Sequence, residues 1–274
     1  MSQLVRMGQG RFGNYRILRL NSDLVPHAHP EAQIVFALDQ GIEDVIFVNN
    51  EPINLTYRTA VFANPMEKHA HRVCSQNCEY LALYFQKSWL IDMFGNPEHG
   101  RSFLKNSISV SDTIAELIDC LVSSAKGNAS EDEISLWVEK IANQLQDHVV
   151  IAEAPDTERD VNHAVRKVED AVSYMADSLL VHRDINLVAR EIGVSRPQMF
   201  KLFRYHMKTT PNISWNALRM DYAKQQLEEV DISIEELSAE LGFSEAANFS
   251  RFFKDHSGFN PSQFRLVAKT ESFV

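Results

Sequence analysis

Twice in its C-terminal half the chain writes one short pattern: Ala189-Arg-Glu-Ile-Gly193-Val-Ser195, then Ser238-Ala-Glu-Leu-Gly242-Phe-Ser244. Each copy puts a small residue four positions before a glycine, followed by an apolar residue and a serine. The small residue lets two helices approach, the glycine takes a left-handed turn, and the serine is placed to cap the second helix. Ile185, Val188 and Ile192 give the first copy an apolar stripe, as Ile234, Leu237 and Leu241 do the second. The match runs on downstream: Met199, Lys201, Phe203, Arg204 and Pro211 recur as Phe249, Arg251, Phe253, Lys254 and Pro261. A chain so written is constrained to two helix-turn-helix units in tandem.

The helix after each turn has two faces. After Ser195, Met199, Leu202 and Phe203 point inward and leave Arg196, Pro197, Phe200, Lys201 and Arg204 outward. After Ser244, Phe249, Phe252 and Phe253 point inward, and Ala246, Ala247, Asn248, Ser250, Arg251 and Lys254 are the outward set. Residues near the start of such a helix reach base edges in a major groove, whereas cations further along suit phosphates. Between the units, Asn212 to Glu228 reads as one helix packing through Trp215, Leu218, Tyr222 and Leu227, about 25 Å long at ~1.5 Å per residue. Such a rod sets two recognition helices about one DNA turn apart. One difference between the copies stands out: Lys208 occupies the helix end that Gly258 occupies in the second, where a left-handed cap favours glycine.

Segment Val188–Arg265 resembles the DNA-binding domain of the AraC/XylS family of bacterial transcription regulators. The residues carrying the likeness are Gly242-Phe-Ser-Glu-Ala-Ala-Asn-Phe-Ser-Arg-Phe-Phe-Lys254, then Gly258-Phe-Asn-Pro261 and Phe264-Arg265. The resemblance implies double-stranded DNA as partner, two recognition helices per chain and a sensor domain in front. It departs from the family at Ser214, where an aromatic is usual and Trp215 stands next door.

Charge alone argues against DNA, since 37 acidic side chains outnumber 27 basic ones for a net −10. The excess is sorted along the chain. Residues 1–160 hold 22 acidic and 13 basic side chains, residues 161–274 hold 15 and 14. Arg196 to Met220 contains Arg196, Lys201, Arg204, Lys208 and Arg219 with no carboxylate. No apolar run approaches the ~18 residues of a membrane span. Cys74, Cys78 and Cys120, an odd and sparse set, fit a reducing cytoplasm.

The first part alternates like strands at Gln33–Leu38, Val45–Val48, Ile53–Tyr57 and Tyr80–Phe85. From Ser111 the period becomes helical through Ile114, Leu117, Ile118, Leu121 and Val122. A second helix opens at Ser130 with Glu133 three residues on, a capping box. The strands suggest a β-barrel or sandwich, and the region resembles the cupin class. The expected fold is α+β: a cupin-like β-barrel over 1–110, a helical hairpin over 111–152 that is the expected dimerisation element, a linker over 153–160 and an all-α DNA-binding domain over 161–274.

His27-Ala-His29 and His69-Ala-His71 pair histidines on alternate strand positions, so each pair shares a face. Metal-binding cupins use an H-x-H pair, a carboxylate and a later histidine. Here Gln33 or Ile34 stands where that carboxylate belongs, Glu31 is too early, and the flanking glycines are missing around Pro65. The expectation is thus no metal and no cofactor, with His27, His29, Tyr57, Arg58, His69 and Tyr84 lining an effector pocket. Leu121, Trp137, Ile141 and Leu145 are the candidate seam of a homodimer, and RNA polymerase is a further candidate partner. The whole reads as a cytoplasmic, effector-sensing transcription regulator, activation being the commoner family behaviour, and not an enzyme. The rivals are a cupin-type metalloenzyme fused to a DNA-binding module and a regulator answering to a protein partner.

Overall fold

The computed structural model describes residues 2–94, 101–103, 105–146, 149–151, 160–180 and 184–271. All of the expected linker except Asp160 lies outside them. The strands come first: β1 (Gln3–Gly10), β2 (Gly13–Arg19), β3 (Leu24–His27), β4 (Ala32–Ala37), β5 (Asp44–Val48), β6 (Glu51–Leu55), β7 (Thr59–Ala63), β8 (His69–Arg72) and β9 (Glu79–Phe85). Then follow α1 (Lys87–Phe94), β10 (Arg101–Phe103), β11 (Ser107–Ser109), α2 (Asp112–Lys126), α3 (Glu131–Gln144) and β12 (Val149–Ile151). The C-terminal part holds α4 (Asp160–Asp177), α5 (Ile185–Glu191), α6 (Arg196–His206), α7 (Pro211–Glu229), α8 (Ile234–Glu240), α9 (Ala246–Ser257) and α10 (Pro261–Glu271).

The strands form a six-stranded sheet, β1-β2-β9-β4-β7-β11, and a four-stranded one, β3-β8-β5-β6, while β10 pairs with β12. Asn49 and Asn50, both at positive φ, make the two-residue turn that closes the β5–β6 hairpin where Val48 pairs Glu51. The large sheet is buried on both faces, which is why its central strands read as nearly unbroken apolar runs. On one face Ile34, Phe36, Leu81, Leu83 and Phe85 pack against Ile118, Leu121, Val138, Ile141 and Leu145 of the α2–α3 hairpin. On the other, Val35, Ala37, Tyr80, Ala82 and Tyr84 turn into the barrel. Period-two alternation sorts these sets strictly.

The hairpin corrects the expected dimer seam. Leu121, Ile141 and Leu145 are buried in this chain's own core, where the barrel consumes their apolar surface. Trp137 alone of the four stays partly exposed, its indole N–H donating to Ser124 Oγ (3.1 Å) with the Lys140 ammonium 4.2 Å from its ring centre. Ser130 caps α3 as expected, but the Glu133 carboxylate accepts from Ser124 Oγ (2.8 Å) instead of reaching back.

The two repeat units fall into different cores. Val168, Met175, Val188, Met199, Phe203 and Trp215 close the first unit around α4–α6 and the start of α7. The second unit has no separate core: Leu237, Phe249, Phe253, Phe264 and the α7 residues Met220, Ala223 and Leu227 run on into Leu4, Met7, Leu18 and Leu20 of the barrel.

Local chemistry also diverges. Gly193 (φ +66°) and Gly242 (φ +71°) both make the left-handed turn that the repeat requires. Ser195 caps α6 in a reciprocal box with Gln198. Ser244 does not cap α9. That helix starts after Glu245 with no side-chain cap, and Ser244 Oγ instead accepts from Asn248 Nδ2 (3.0 Å). At the helix ends, Lys208 takes a left-handed φ of +52° and Gly258 one of +84°. A Cβ on Gly258 would stand 2.6 Å from Leu20 Cδ2, so the barrel itself excludes a side chain there.

Candidate functional site

The recognition helices carry their outward sets much as their periodicity demands. On α6, Arg196, Pro197, Lys201 and Arg204 are exposed. Phe200 is not: it lies half-buried against the first unit's core, with the Arg196 guanidinium 5.5 Å from its ring centre. On α9, Ala247, Asn248, Arg251 and Lys254 are exposed, while Ala246 and Ser250 are half-buried. Helix α7, 19 residues, is about 28 Å long at ~1.5 Å per residue. One cation of the acid-free run is structural. Arg219 is buried, donates to the Leu241 carbonyl (2.5 Å) and stacks 3.9 Å from the Phe243 ring centre, tying α7 to the second turn.

The second feature is a cavity of about 60 Å³ between the barrel and the second unit. Strands β2, β4, β8 and β9 contribute Arg16, Gln33, His69, His71, Tyr80 and Tyr84, the β3 segment contributes His27 and His29, and the roof is Met220, Asp221 and Lys224 of α7 with His256 of α9. His27 and His29 lie 4.3 and 4.8 Å from His69 between ring centres, and His256 is 6.4 Å from His27. Each of the barrel three donates Nδ1–H to a main-chain carbonyl: His27 to Val25 (2.7 Å), His29 to Glu31 (2.8 Å) and His69 to Glu67 (2.8 Å). Nε2 of His69 is buried without a hydrogen-bond partner, and His29 has the Gln33 side chain beside it.

Electrostatics follow from packing. Burial, and then the neighbouring His69, hold His27 and His29 well below the usual imidazole range. Burial likewise lowers His69 to about 4 and, less strongly, lowers His256. Lys224 is pushed down to about 8 by burial and then by Arg16, against the pull of Glu31, Asp221 and Glu228. Burial raises the carboxyls of Asp221 and Glu228. The Arg16 guanidinium stacks 4.5 Å from the Tyr84 ring centre and 5.5 Å from that of Phe264 on α10.

Deeper in the barrel, Asp44 accepts from His71 Nε2 (2.9 Å), Tyr80 Oη (2.5 Å) and the amides of Cys74 and Ser75. Burial alone would raise its carboxyl. Those four donors overrule it and hold the group well below the carboxylate range. The network pins β5, β8 and β9 together beneath the cavity.

Four of the six expected pocket residues are here: His27, His29, His69 and Tyr84. Tyr57 and Arg58 are not. They sit in the turn between β6 and β7, where Arg58 pairs with Asp112 at the start of α2 (2.7 Å). Expected strand Ile53–Tyr57 ends at Leu55, so its parity does not carry Tyr57 into the barrel. The sequence reading missed Arg16, Gln33, His71, Tyr80, Lys224 and His256. Arg16 left a signal, a charge between Tyr15 and Ile17 in an apolar run. Lys224 and His256 left none, because only docking brings their helices to the barrel. Among the described residues, no three His, Cys, Asp or Glu side chains already form a metal-holding array, and no helix is long and apolar enough to cross a membrane.

Comparison with known proteins matches two families in order along the chain: an AraC-like ligand binding domain over residues 20–137 and a helix-turn-helix domain over 188–266. The HTH-type transcriptional regulator CdhR of Pseudomonas aeruginosa is 38% identical over 80 residues, 29% of this chain and 24% of that protein. The lactose operon transcription activator of Staphylococcus xylosus is 21% identical over 241 residues, 86% of this chain and 76% of that one. The first curated relatives are matched over only 24%, 34% and 29% of their own lengths. Among solved structures, apo ToxT of Vibrio cholerae shares the fold with a TM-score of 0.62 at 11% identity, covering 95% of this chain and 100% of that one. Unsaturated fatty acid bound ToxT does so at 0.56 and 12%, covering 97% and 95%.

Proposed function

We propose that this chain, an AraC-type protein whose AraC-like ligand binding domain precedes its helix-turn-helix domain, is a transcription regulator that reads DNA with α6 and α9 and senses a small molecule at the cavity beneath α7. Its relatives are transcriptional regulators, and a binding role fits a cavity lined by buried imidazoles, two cations and Asp221.

One observation carries the sensing half of this reading: the cavity has walls from the barrel and a roof from the DNA-binding part. An effector placed there touches the rod that spaces the two recognition helices and, through His256, the second recognition helix itself. Binding then favours whichever placement of the second unit gives the effector its best contacts, and linkage passes that preference to DNA. A fatty acid is bound by ToxT; in this chain any ligand much larger than the cavity has to displace the roof, which makes roof position the readout.

For DNA, Arg196, Lys201 and Arg251 take the base-reading role, Arg204 and Lys254 the phosphates, and Ala247 and Asn248 the remaining base edges. Pro197, half-buried Phe200, Ala246 and Ser250 flank them. Footprinting tests this: Arg251→Ala should cost ~1–3 kcal/mol at the operator and relax preference at one base pair. An equal loss on every sequence would make Arg251 a phosphate contact. On this reading the protein works in the cytoplasm, and RNA polymerase is its partner once on DNA. A homodimer would use the outer face of the α2–α3 hairpin, where Leu136 is exposed and Trp137 partly so, and sedentary Leu121, Ile141 and Leu145 only support that face.

A further inference from the structure

We propose that the effector cavity takes a short carboxylic acid bearing a hydroxyl or amino group on the carbon next to its carboxylate. The inference rests on the reading of this cavity as the effector site, and it names the ligand class.

The acceptor side comes first. Main-chain carbonyls only accept, so the bonds from His27, His29 and His69 put the ring proton on Nδ1 and leave a lone pair on Nε2. His29 and His69 are each 6% exposed; the Nε2 of His69 has no donor, while His29 has only the Gln33 side chain within hydrogen-bonding reach. Buried acceptors of this kind are normally satisfied by something. The donor side is cationic. Arg16, also 6% exposed, has a buried Nε without a partner, and its guanidinium sits 4.5 Å from the Tyr84 ring centre. The Lys224 ammonium lies 6.0 Å from the same ring centre, and the His29 ring 5.2 Å. Tyr84 is thus a hub with two cations and a buried imidazole around one ring. Glu31, Asp221 and Glu228 stand nearby and keep the site near electrical balance, but no ion pair to Arg16 or Lys224 is formed among the described residues within 4.0 Å.

The ligand complementary to this wall accepts from the cations and donates to the imidazoles a few ångströms away. A carboxylate with a hydroxyl or ammonium on the adjacent carbon does both. Size sets the rest. At about 10–15 Å³ of such space per water-sized atom, the 60 Å³ cavity holds about four to six non-hydrogen atoms, a two- or three-carbon acid. A plain acid leaves the imidazoles unanswered, an amine or alcohol leaves the cations unanswered, and a sugar or long-chain acid does not fit beneath the docked roof.

The test is calorimetric titration of the full chain with lactate and with alanine, against propionate and 1-amino-2-propanol. At least one of the first two should bind tenfold or more tightly than both comparators. Lys224→Met should erase the advantage over 1-amino-2-propanol, and His69→Leu the advantage over propionate, with circular dichroism checking that each variant is folded. Equal binding of propionate, no binding of either probe, or indifference to Lys224→Met would overturn the ligand class. The two readings part as follows. A long-chain acid or sugar whose binding is lost in Lys224→Met would overturn the class and keep the cavity as sensor. Lactate or alanine bound as expected, with an unchanged DNA footprint, would keep the ligand site and sink the sensing role.

Discussion

Two helix-turn-helix units written with the same residues end up in different physical situations. The first closes on its own core with α4 and keeps both its serine cap and a left-handed lysine at its end. The second has given its apolar face to the barrel, lost the serine cap and kept glycine where Leu20 presses on the backbone. A repeat therefore specifies a shape, whereas its surroundings decide which residues of that shape carry stability and which carry signal. Among the described residues, it is the second unit that shares its core with the barrel.

The largest test of that contrast is at Phe203 and Phe253, both fully buried. Either change to Ala should cost about 3–5 kcal/mol. Hydrogen exchange should localise the damage differently: Phe203→Ala loosening α4–α6 alone, Phe253→Ala also exposing β1 and β3. If β1 and β3 keep their protection in Phe253→Ala, the shared core does not act as one.

Acid should separate the units next. His69, lowered from 6.5 to about 4 by burial, binds fewer protons when docked than when released. Its contribution is complete above pH 6.5 and is lost as pH falls toward 4, on the order of 3 kcal/mol at ~1.4 kcal/mol per pKa unit. His27, His29 and His256 shift in the same direction, so exchange at α9 and β3 should quicken between pH 7 and 5 before that at α5. Simultaneous loosening would tie the acid response to something other than this cluster.

Swapping the helix ends gives a smaller effect. Gly258→Ala forces a side chain onto Leu20 at positive φ and should cost about 1–3 kcal/mol. Relief of the left-handed backbone strain at Lys208 in Lys208→Gly is offset by glycine's added freedom when unfolded, about 0.5–1 kcal/mol. Melting curves of the two variants check the asymmetry, and a matched pair of shifts would erase it. Smallest is the serine pair. Ser195→Ala removes a cap and should cost about 1 kcal/mol, whereas Ser244→Ala removes one side-chain hydrogen bond and should stay within about 0.5 kcal/mol.

The N-terminal half repeats this lesson. Alternation in Gln33–Leu38 and Tyr80–Phe85 announces strands, and Ile114 to Val122 announces a helix, because those patterns are local and periodic. What they face is not local. Leu121 looks equally apolar whether it meets a second chain or its own barrel, and the structure gives it to the barrel. Alternation continued two residues past the end of β6 places Tyr57 in the pocket, whereas the chain turns at Tyr57 and Arg58. The H-x-H spacing marked His27 with His29 and His69 with His71 as pairs sharing a face, but it is the β3–β8 pairing that sets His27 opposite His69.

By itself, then, the sequence determined the two helix-turn-helix turns, the outward cations of α6 and α9, the strand and helix periods and the histidine faces, all of which follow from interactions a few residues apart. Tertiary structure alone decided that α7 and α9 roof the barrel and that Lys224 and His256 join histidines from a distant part of the chain. The physical reason is that apolar burial is non-directional: the stripes on the second unit demand a partner surface without naming it, and only the fitted shapes of barrel and helices select which surface answers.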